Sequence, residues 1–262
     1  MTLAVEVTGG GPDLVLIHGW GMNNGVWAGL PAPLEGHWRQ HRIALPGHGG
    51  SRFDPAWRDL DAWAEACLAT APPRAVWLGW SLGGLVALAA AGLAPERVAG
   101  LVLVTATPRF TRGEDWPSAM PVGTLDQFQA NLLTDPVGTL ERFLALQVRA
   151  SDQARATLRH LRAAVGGYPP PQPEALEVGL ALLRGSDLRE TLPRLPGPSL
   201  WLFGERDTLV PAALAPSIPR LWPSARVAHV PGAGHAPFLS HPRESAAAVA
   251  PFLHEVDACR SH

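Results

Sequence analysis

Lysine is absent from this chain of 262 residues, and cysteine occurs only twice. All 21 basic residues are arginines, and 23 acidic residues leave a net charge of -2. This near balance argues against nucleic acid as the principal partner. Cys67 and Cys259 lie too far apart for a metal-ligand motif, and two cysteines are too few for a disulfide framework. The composition therefore excludes the common cysteine-based scaffolds.

Long apolar runs are also absent. No stretch of 18 residues consists of apolar side chains alone, and no secretory hydrophobic region follows Met1. We therefore expect a soluble, cytoplasmic protein. Because 47% of the side chains are hydrophobic, the chain can bury one large core and carry a modest insertion.

Short apolar runs alternate with helical patterns over much of the chain. This alternation predicts an α/β fold with a mostly parallel central sheet and helices on both faces. The predicted strands cover residues 3–7, 13–17, 42–45, 75–78, 100–104, 199–203 and 225–230. The predicted helices of this part cover residues 54–71, 82–94, 210–221 and 243–256.

The alternation stops between residues 109 and 190. No strongly apolar strand pattern occurs there, and the segment is predicted to form helices separated by proline-rich stretches. We therefore predict a helical cap at residues 109–190, inserted between two parts of the core at residues 1–108 and 191–262.

A single serine stands between two glycines in the sequence Gly-Trp-Ser-Leu-Gly at residues 79–83. The apolar run 75–78 before it predicts a buried strand, and residues 82–94 after it predict a helix. A sharp turn between these elements leaves no room for side chains at the glycine positions. Hydrolases expose a nucleophilic serine on such a turn, so Ser81 is the predicted nucleophile.

A serine hydroxyl needs a base that takes its proton and an acid that orients the base. Asp207 follows the predicted strand 199–203, and His235 follows the predicted strand 225–230. The chain order Ser81, Asp207, His235 is typical of hydrolases with this turn.

Other residues compete for these two roles. Glu205 lies two residues before Asp207, but the acid usually ends a Gly-x-x-Asp turn that leaves a strand. Among the ten histidines, His229 and His241 are the alternatives to His235. His235 is favoured because it follows a glycine-rich turn at the end of a strand.

Acyl transfer also needs donors for the oxyanion that forms when the carbonyl is attacked. The backbone N–H of Leu82 lies directly after Ser81 at the start of a predicted helix. A second donor should come from the loop after an early strand, where Trp20 lies in the sequence His-Gly-Trp-Gly. We expect His18 in this loop to be a structural hydrogen-bonding residue.

These motifs resemble the α/β-hydrolase superfamily over nearly the whole chain. Three strings narrow the resemblance to the pimeloyl-acyl-carrier protein methyl ester esterases of biotin synthesis, at residues 77–86, 141–147 and 235–238. The second string carries most of the specificity because it lies in the predicted cap, where hydrolases diverge most. The chain departs from the superfamily at His48, where an aromatic residue is common, and matches only patchily at residues 109–135.

The resemblance implies hydrolysis of a methyl ester on a dicarboxylic acyl chain that is carried by acyl-carrier protein. It implies methanol and a free carboxylate as products, and neither a metal nor an organic cofactor. We expect a monomer. The implied substrate contacts are Trp20, Ser81, Leu82, Phe143, Leu144, Ala145, Leu146, Gln147 and His235. From the sequence pattern alone, the apolar residues of the segment 143–147 fit a plain helix core equally well.

The predicted cap is basic although the whole chain is slightly acidic. Residues 140–165 contain five arginines and two acidic residues. If Ser151 caps a helix, Arg155 and Arg159 share one of its faces. Because acyl-carrier proteins are acidic, Arg142, Arg155 and Arg159 are predicted to dock one. The alternative is a solvated, arginine-rich face.

The same triad serves several activities. A short-chain carboxylesterase or thioesterase of broad specificity is therefore the alternative enzyme. A non-catalytic binding protein with a hydrolase fold is disfavoured, because such proteins usually lack a member of the triad and the sequence contains all three.

Overall fold

One central sheet organises the part of the chain that the computed structural model describes, residues 2–28, 30, 34 and 36–259. Its strands are β1 (Val5–Thr8), β2 (Asp13–Ile17), β3 (Arg39–Ile43), β4 (Ala75–Trp80), β5 (Val98–Val104), β6 (Ser199–Gly204) and β7 (Arg226–Val230). They are arranged in the order β1-β3-β2-β4-β5-β6-β7. β1 is antiparallel to β3, and every other neighbouring pair is parallel. The predicted mostly parallel sheet is confirmed.

Helices connect and cover these strands. The α-helices are α1 (Leu60–Thr70), α2 (Leu82–Leu93), α3 (Val122–Leu132), α4 (Pro136–Val148), α5 (Ala154–Gly166), α6 (Pro173–Gly185), α7 (Ile218–Leu221), α8 (Pro237–Ser240) and α9 (Pro242–Ala258). Short 3-10 helices form at Asn24–Trp27, Pro95–Arg97, Leu192–Arg194 and Ala212–Ser217.

The sheet separates two apolar layers. Along β4, Trp77 packs in the layer that contains α1 and α2, whereas Val76 and Leu78 pack in the layer that contains α9. This alternation is the two-residue period of a strand with both faces buried. Helices therefore cover both faces of the sheet, as the sequence predicts.

Some predicted boundaries are wrong. The helix predicted from residue 54 begins at Leu60, because the carboxylate of Asp59 accepts the N–H of Ala62 at 2.8 Å and caps the helix there. The third strand begins at Arg39 instead of residue 42. Its polar residues fit a strand because Arg39 forms a 2.6 Å ion pair with Asp13 on β2.

The helix predicted at residues 210–221 is also wrong in part. The structure has a 3-10 helix at Ala212–Ser217 followed by the single turn α7. Prolines at positions 211, 216 and 219 lack the N–H that a continuous α-helix needs, which explains the break.

The chain forms α3 to α6 between β5 and β6, within the segment predicted as a cap. The two ends of that segment lie side by side, because the N–H of Leu188 donates to the carbonyl of Pro108 at 2.9 Å. Arg109 and Arg189 both pair with Asp115 and Asp187 at the same place. The domain boundaries at residues 108/109 and 190/191 stay a prediction.

The turn between β4 and α2 has no space for side chains at its glycines. A Cβ on Gly79 would collide with the backbone of Gly83. A Cβ on Gly83 would collide with the carbonyl oxygens of Ile17 and His18 at the end of β2. The start of α2 therefore lies directly against the end of β2.

Replacing Gly83 by alanine should destabilise the fold by more than about 2 kcal/mol, because backbone carbonyls cannot move aside as a flexible side chain can. The matched control is Gly123→Ala in α3, where nothing lies within 4 Å of the new Cβ. The control should be neutral or more stable by up to about 1 kcal/mol. Urea unfolding followed by tryptophan fluorescence measures both. Equal midpoints for the two variants would contradict this account of the turn.

Candidate active site

Ser81 lies between the end of β4 and the start of α2, with φ 56° and ψ −118°. Positive φ is uncommon for a residue with a Cβ and costs energy, so the surroundings must hold it. The N–H of Ser81 donates to the carbonyl of Val104 at 3.0 Å, and its carbonyl accepts the N–H of Gly84 at 2.9 Å. These bonds fix the serine at the carboxyl end of the sheet.

A buried histidine–carboxylate pair forms at the same end of the sheet. Nδ1 of His235 lies 2.7 Å from Oδ2 of Asp207. The other carboxylate oxygen of Asp207 accepts the N–H groups of Leu209 and Val210 at 2.8 and 3.1 Å. An ionised carboxylate held in this way accepts the Nδ1–H and leaves Nε2 of His235 as the basic nitrogen.

The backbone of His235 is tied to the turn that carries Ser81. The indole N–H of Trp80 and the hydroxyl of Thr105 each donate to the carbonyl of His235 at 2.7 Å. Nε2 of His235 is buried and has no hydrogen-bond partner in the described part of the chain. This nitrogen is therefore available to take a proton from a hydroxyl.

The alternative acid and bases lie elsewhere. Glu205 accepts the N–H of Gly232 at 2.8 Å instead of contacting a histidine. The ring of His229 stacks on Phe203, and Nε2 of His241 lies 3.1 Å from Asp152. The structure therefore pairs Asp207, rather than Glu205, with His235.

Two backbone donors lie beside Ser81. The loop after β2 packs against the serine, since a Cβ on Gly19 would lie 3.3 Å from the Cβ of Ser81. Trp20 follows in that loop, and Leu82 is the first residue of α2. Among the described residues, neither the N–H of Trp20 nor that of Leu82 has a hydrogen-bond acceptor. The arrangement fits an oxyanion hole.

The comparisons with known proteins identify the family to which the chain belongs. A family model described as the alpha/beta hydrolase fold matches residues 12–242. A pimeloyl-acyl-carrier protein methyl ester esterase from Xanthomonas axonopodis pv. citri is 48% identical, over 96% of this chain and 99% of its own length. The enzyme of the same name from Stenotrophomonas maltophilia is 49% identical, over 95% of each chain. The chain belongs to the α/β-hydrolase family and, within it, to this group of esterases.

Solved structures show the same fold for this hydrolase. An esterase from Exiguobacterium antarcticum superposes with a TM-score of 0.84, at 21% sequence identity, over 96% of this chain and 95% of that one. At this identity the likeness concerns the fold alone. The predicted fold class and family are confirmed.

The tryptophan of the first donor loop is held by the cap segment of the hydrolase. Its indole N–H donates to the carbonyl of Leu176 on α6 at 2.8 Å. The ring of Phe143 on α4 meets Trp20 edge-on, at 4.8 Å between centroids, and Phe128 meets Phe143 in the same manner. This contact was not predicted for Phe128, because residues 109–135 give no clear sequence match.

The predicted contact segment 143–147 divides between interior and surface. Phe143, Leu144 and Gln147 are buried, Leu146 is half-buried, and Ala145 is exposed. Both polar atoms of the Gln147 amide are buried without a partner among the described residues. The carbonyl of Gln147 accepts the N–H of His235 at 3.0 Å, so α4 ends beside the triad. Within the segment 143–147, Gln147 is therefore the residue whose side chain can still form hydrogen bonds.

Two further histidines, His18 and His48, form hydrogen bonds with the backbone of the loop after β2 and have a structural role. His18 donates from Nδ1 to the carbonyl of Gly19 and accepts the N–H of Leu45 at Nε2. His48 accepts the N–H of Gly21 at 3.2 Å. Burial lowers the pKa of His18 to about 3 and that of His48 to about 4, so both are neutral and keep one acceptor nitrogen. The sequence interpretation of His18 as a structural residue agrees with these bonds.

The predicted docking arginines differ in their contacts. Arg142 pairs with Asp135 at 3.2 Å. Arg155 and Arg159 are exposed on α5, and no carboxylate of the described residues lies within 4 Å of either. α5 begins at Ala154, after Gln153 rather than after Ser151 as the cap. The predicted N-cap was wrong because the hydroxyl of Ser151 accepts the N–H of Gln153 in a turn outside the helix.

The described residues contain neither a metal-binding cluster nor a membrane-spanning helix. The histidine, cysteine and acidic side chains there form no group of three or more that could hold a metal ion. No helix there is both long and apolar enough to cross a bilayer.

The acid of the triad can be tested against its neighbour. Asp207→Asn should lower kcat by about 10³- to 10⁴-fold, because an amide no longer holds the Nδ1–H tautomer or stabilises the imidazolium. Glu205→Gln is the control, since glutamine still offers an oxygen to the N–H of Gly232, and it should stay within about threefold of wild type. Steady-state hydrolysis of a short p-nitrophenyl ester measures both. A larger loss in the Glu205 variant would reverse the assignment.

Proposed function

We propose that this chain hydrolyses the methyl ester of a pimeloyl group carried on acyl-carrier protein, as a step of biotin synthesis. The products are the carrier-bound free carboxylate and methanol. The observation that carries the catalytic part is the buried Asp207–His235 pair, which is tied through the carbonyl of His235 to Trp80, the residue before Ser81 on its strained turn. The substrate part is supported by the names of relatives 48–49% identical over 95–96% of the chain.

In the first step, the hydroxyl oxygen of Ser81 attacks the ester carbonyl while Nε2 of His235 takes its proton. The negative charge that develops on the carbonyl oxygen is stabilised by the N–H groups of Trp20 and Leu82. His235 then gives its proton to the methoxy oxygen. Methanol leaves, and the acyl group stays on Ser81 as an ester.

In the second step, a water molecule replaces methanol. His235 takes a proton from the water, which attacks the acyl carbonyl in the same oxyanion site. The proton returns to the oxygen of Ser81 as the carboxylate is released. Throughout, Asp207 keeps the imidazole in one tautomer and stabilises its charged form.

The cap segment supplies the surface that an acyl chain needs. The edge-on pair of Trp20 and Phe143 offers apolar contact close to the oxyanion donors. The unpartnered amide of Gln147 is buried at a residue whose backbone carbonyl accepts the N–H of His235, and it can both donate and accept hydrogen bonds. We assign Phe143 and Gln147 to substrate binding, and include Leu144 and Leu146 as apolar neighbours. Ala145 is the one exposed residue of the segment and is given no side-chain contact with the acyl chain.

The carrier protein is assigned to the exposed side of α5. Arg155 and Arg159 lie there without an ion pair to any residue that the structure describes, and can therefore meet acidic side chains of a partner. Arg149 is exposed as well, and lies at the end of α4, at the start of the turn that leads to α5. Arg142 contributes less, since Asp135 already neutralises it. The expected monomeric state and cytoplasmic location stay predictions.

Charge reversal on α5 separates a carrier-protein esterase from an esterase of broad specificity. Arg155→Glu combined with Arg159→Glu should lower kcat/KM for methyl-pimeloyl carrier protein by at least about tenfold at low salt. The rate with free dimethyl pimelate should not change, because the triad is intact. The rates come from methanol release at low and at high salt, where screening should reduce the difference.

The matched control reverses two exposed arginines outside the cap segment, Arg58→Glu and Arg220→Glu. It changes the net charge equally and should leave both substrates unaffected. If the α5 variant kept the wild-type rate on the carrier substrate, the docking surface would be refuted. If wild type hydrolysed the free ester as efficiently as the carrier-bound one, the broad esterase would be the better description.

A further inference from the structure

We infer that Asp152, in the turn between α4 and α5, is a positioning residue for the catalytic histidine. It acts through Gly232, in the loop that carries His235. This inference rests on the proposed function, because it concerns the base of that reaction. The loop at residues 231–235 is held on two sides, by the core and by the cap segment at residues 109–190.

On the core side, the loop after β6 holds the histidine loop. The N–H of Arg206 donates to the carbonyl of Ala233 at 2.8 Å, and the N–H of Glu205 donates to the carbonyl of Val230 at 3.1 Å. The carboxylate of Glu205 accepts the N–H of Gly232. Since Asp207 lies in the same loop after β6, these bonds hold the acid and the base of the triad together.

On the other side, the loop is held by the cap segment. The carbonyl of Gln147 accepts the N–H of His235 at 3.0 Å, and the N–H of Asp152 donates to the carbonyl of Gly232 at 3.3 Å. The cap segment therefore bonds to the loop near both of its ends. Any displacement of the turn after α4 would move the backbone of the histidine.

The carboxylate of Asp152 adds a contact that is specific to this side chain. It occupies the space next to Gly232 where a Cβ would project, and Gly232 has a positive φ of 71°. One carboxylate oxygen lies 3.1 Å from Nε2 of His241, and the other lies 4.0 Å from a guanidinium nitrogen of Arg206. Asp152 thus joins three segments around the histidine loop, namely the cap turn, the loop after β6 and the chain after α8.

The expected effect is on catalysis more than on stability. The side chain of Asp152 is 48% exposed, and ion pairs of exposed groups contribute little to the free energy of unfolding. Catalysis is more sensitive, because a misplacement of 1 Å can lower a rate by about 10²-fold. A smaller shift of the loop should therefore reduce kcat while the fold stays stable.

The test compares Asp152→Ala and Asp152→Asn with the control Asp126→Ala. Asp126 also lies in the cap segment, is 45% exposed and pairs with one arginine, but it makes no contact with the histidine loop. Asp152→Ala should lower kcat on a short p-nitrophenyl ester by about three- to tenfold with little change in KM. Asp152→Asn keeps an oxygen for His241 and should recover most of the loss. Asp126→Ala should match wild type.

Proton NMR reports on His235 directly. In wild type and in Asp126→Ala, the Nδ1 proton shared with Asp207 should give one sharp low-field proton NMR resonance. In Asp152→Ala this resonance should broaden or shift, while the thermal midpoint stays within about 2 °C of wild type. This signal needs no substrate, so it is independent of the proposed reaction.

The inference is overturned if Asp152→Ala and Asp126→Ala have the same kcat and the same low-field resonance. It is also overturned if the loss of kcat follows a matching loss of thermal stability. Failure of the proposed function has a different signature, namely a wild-type protein that hydrolyses neither the carrier-bound nor the free ester.

Discussion

The close approach of the start of α2 to the end of β2 is the constraint on which the rest of the site depends. The carbonyl oxygens of Ile17 and His18 occupy the space where Gly83 would carry a side chain. This contact places the start of α2, and with it the N–H of Leu82, against the loop after β2, where Gly19 packs on Ser81. The nucleophile and both predicted oxyanion donors therefore lie next to one packing contact.

The base, His235, lies on the loop after β7. In the sheet, β2 and β7 lie on different sides of β4, the strand that leads to Ser81. Hydrogen bonds from Trp80 and Thr105 fix the carbonyl of His235, and Asp207 fixes its ring. The cap segment holds the same loop through Gln147 and Asp152. The surface assigned to the carrier protein is on α5, which begins directly after that contact. The proposed docking surface and the loop that carries the base thus adjoin one short turn of the chain.

The sequence predicts those parts of the site whose signal is local. The turn around Ser81 is recognisable from its glycines, strand and helix, and His235 from the order of residues along the chain. The start of β3 is not recognisable, because two of its polar residues, Arg39 and His41, are paired with Asp13 on a neighbouring strand. The roles of Thr105 and Asp152 depend on contacts with distant residues. Only the fold brings those distant residues together. The one sequence signal for Thr105 is that it directly follows a strand, as the loops of the triad do.

If Ser81 is the nucleophile of the hydrolysis, Ser81→Ala should abolish it. The variant keeps the Cβ and removes only the hydroxyl, so the turn should fold as before. Release of methanol from methyl-pimeloyl carrier protein should fall by at least about 10³-fold, with an unchanged urea midpoint. A stable variant that retains more than about one-tenth of the wild-type rate would contradict the account.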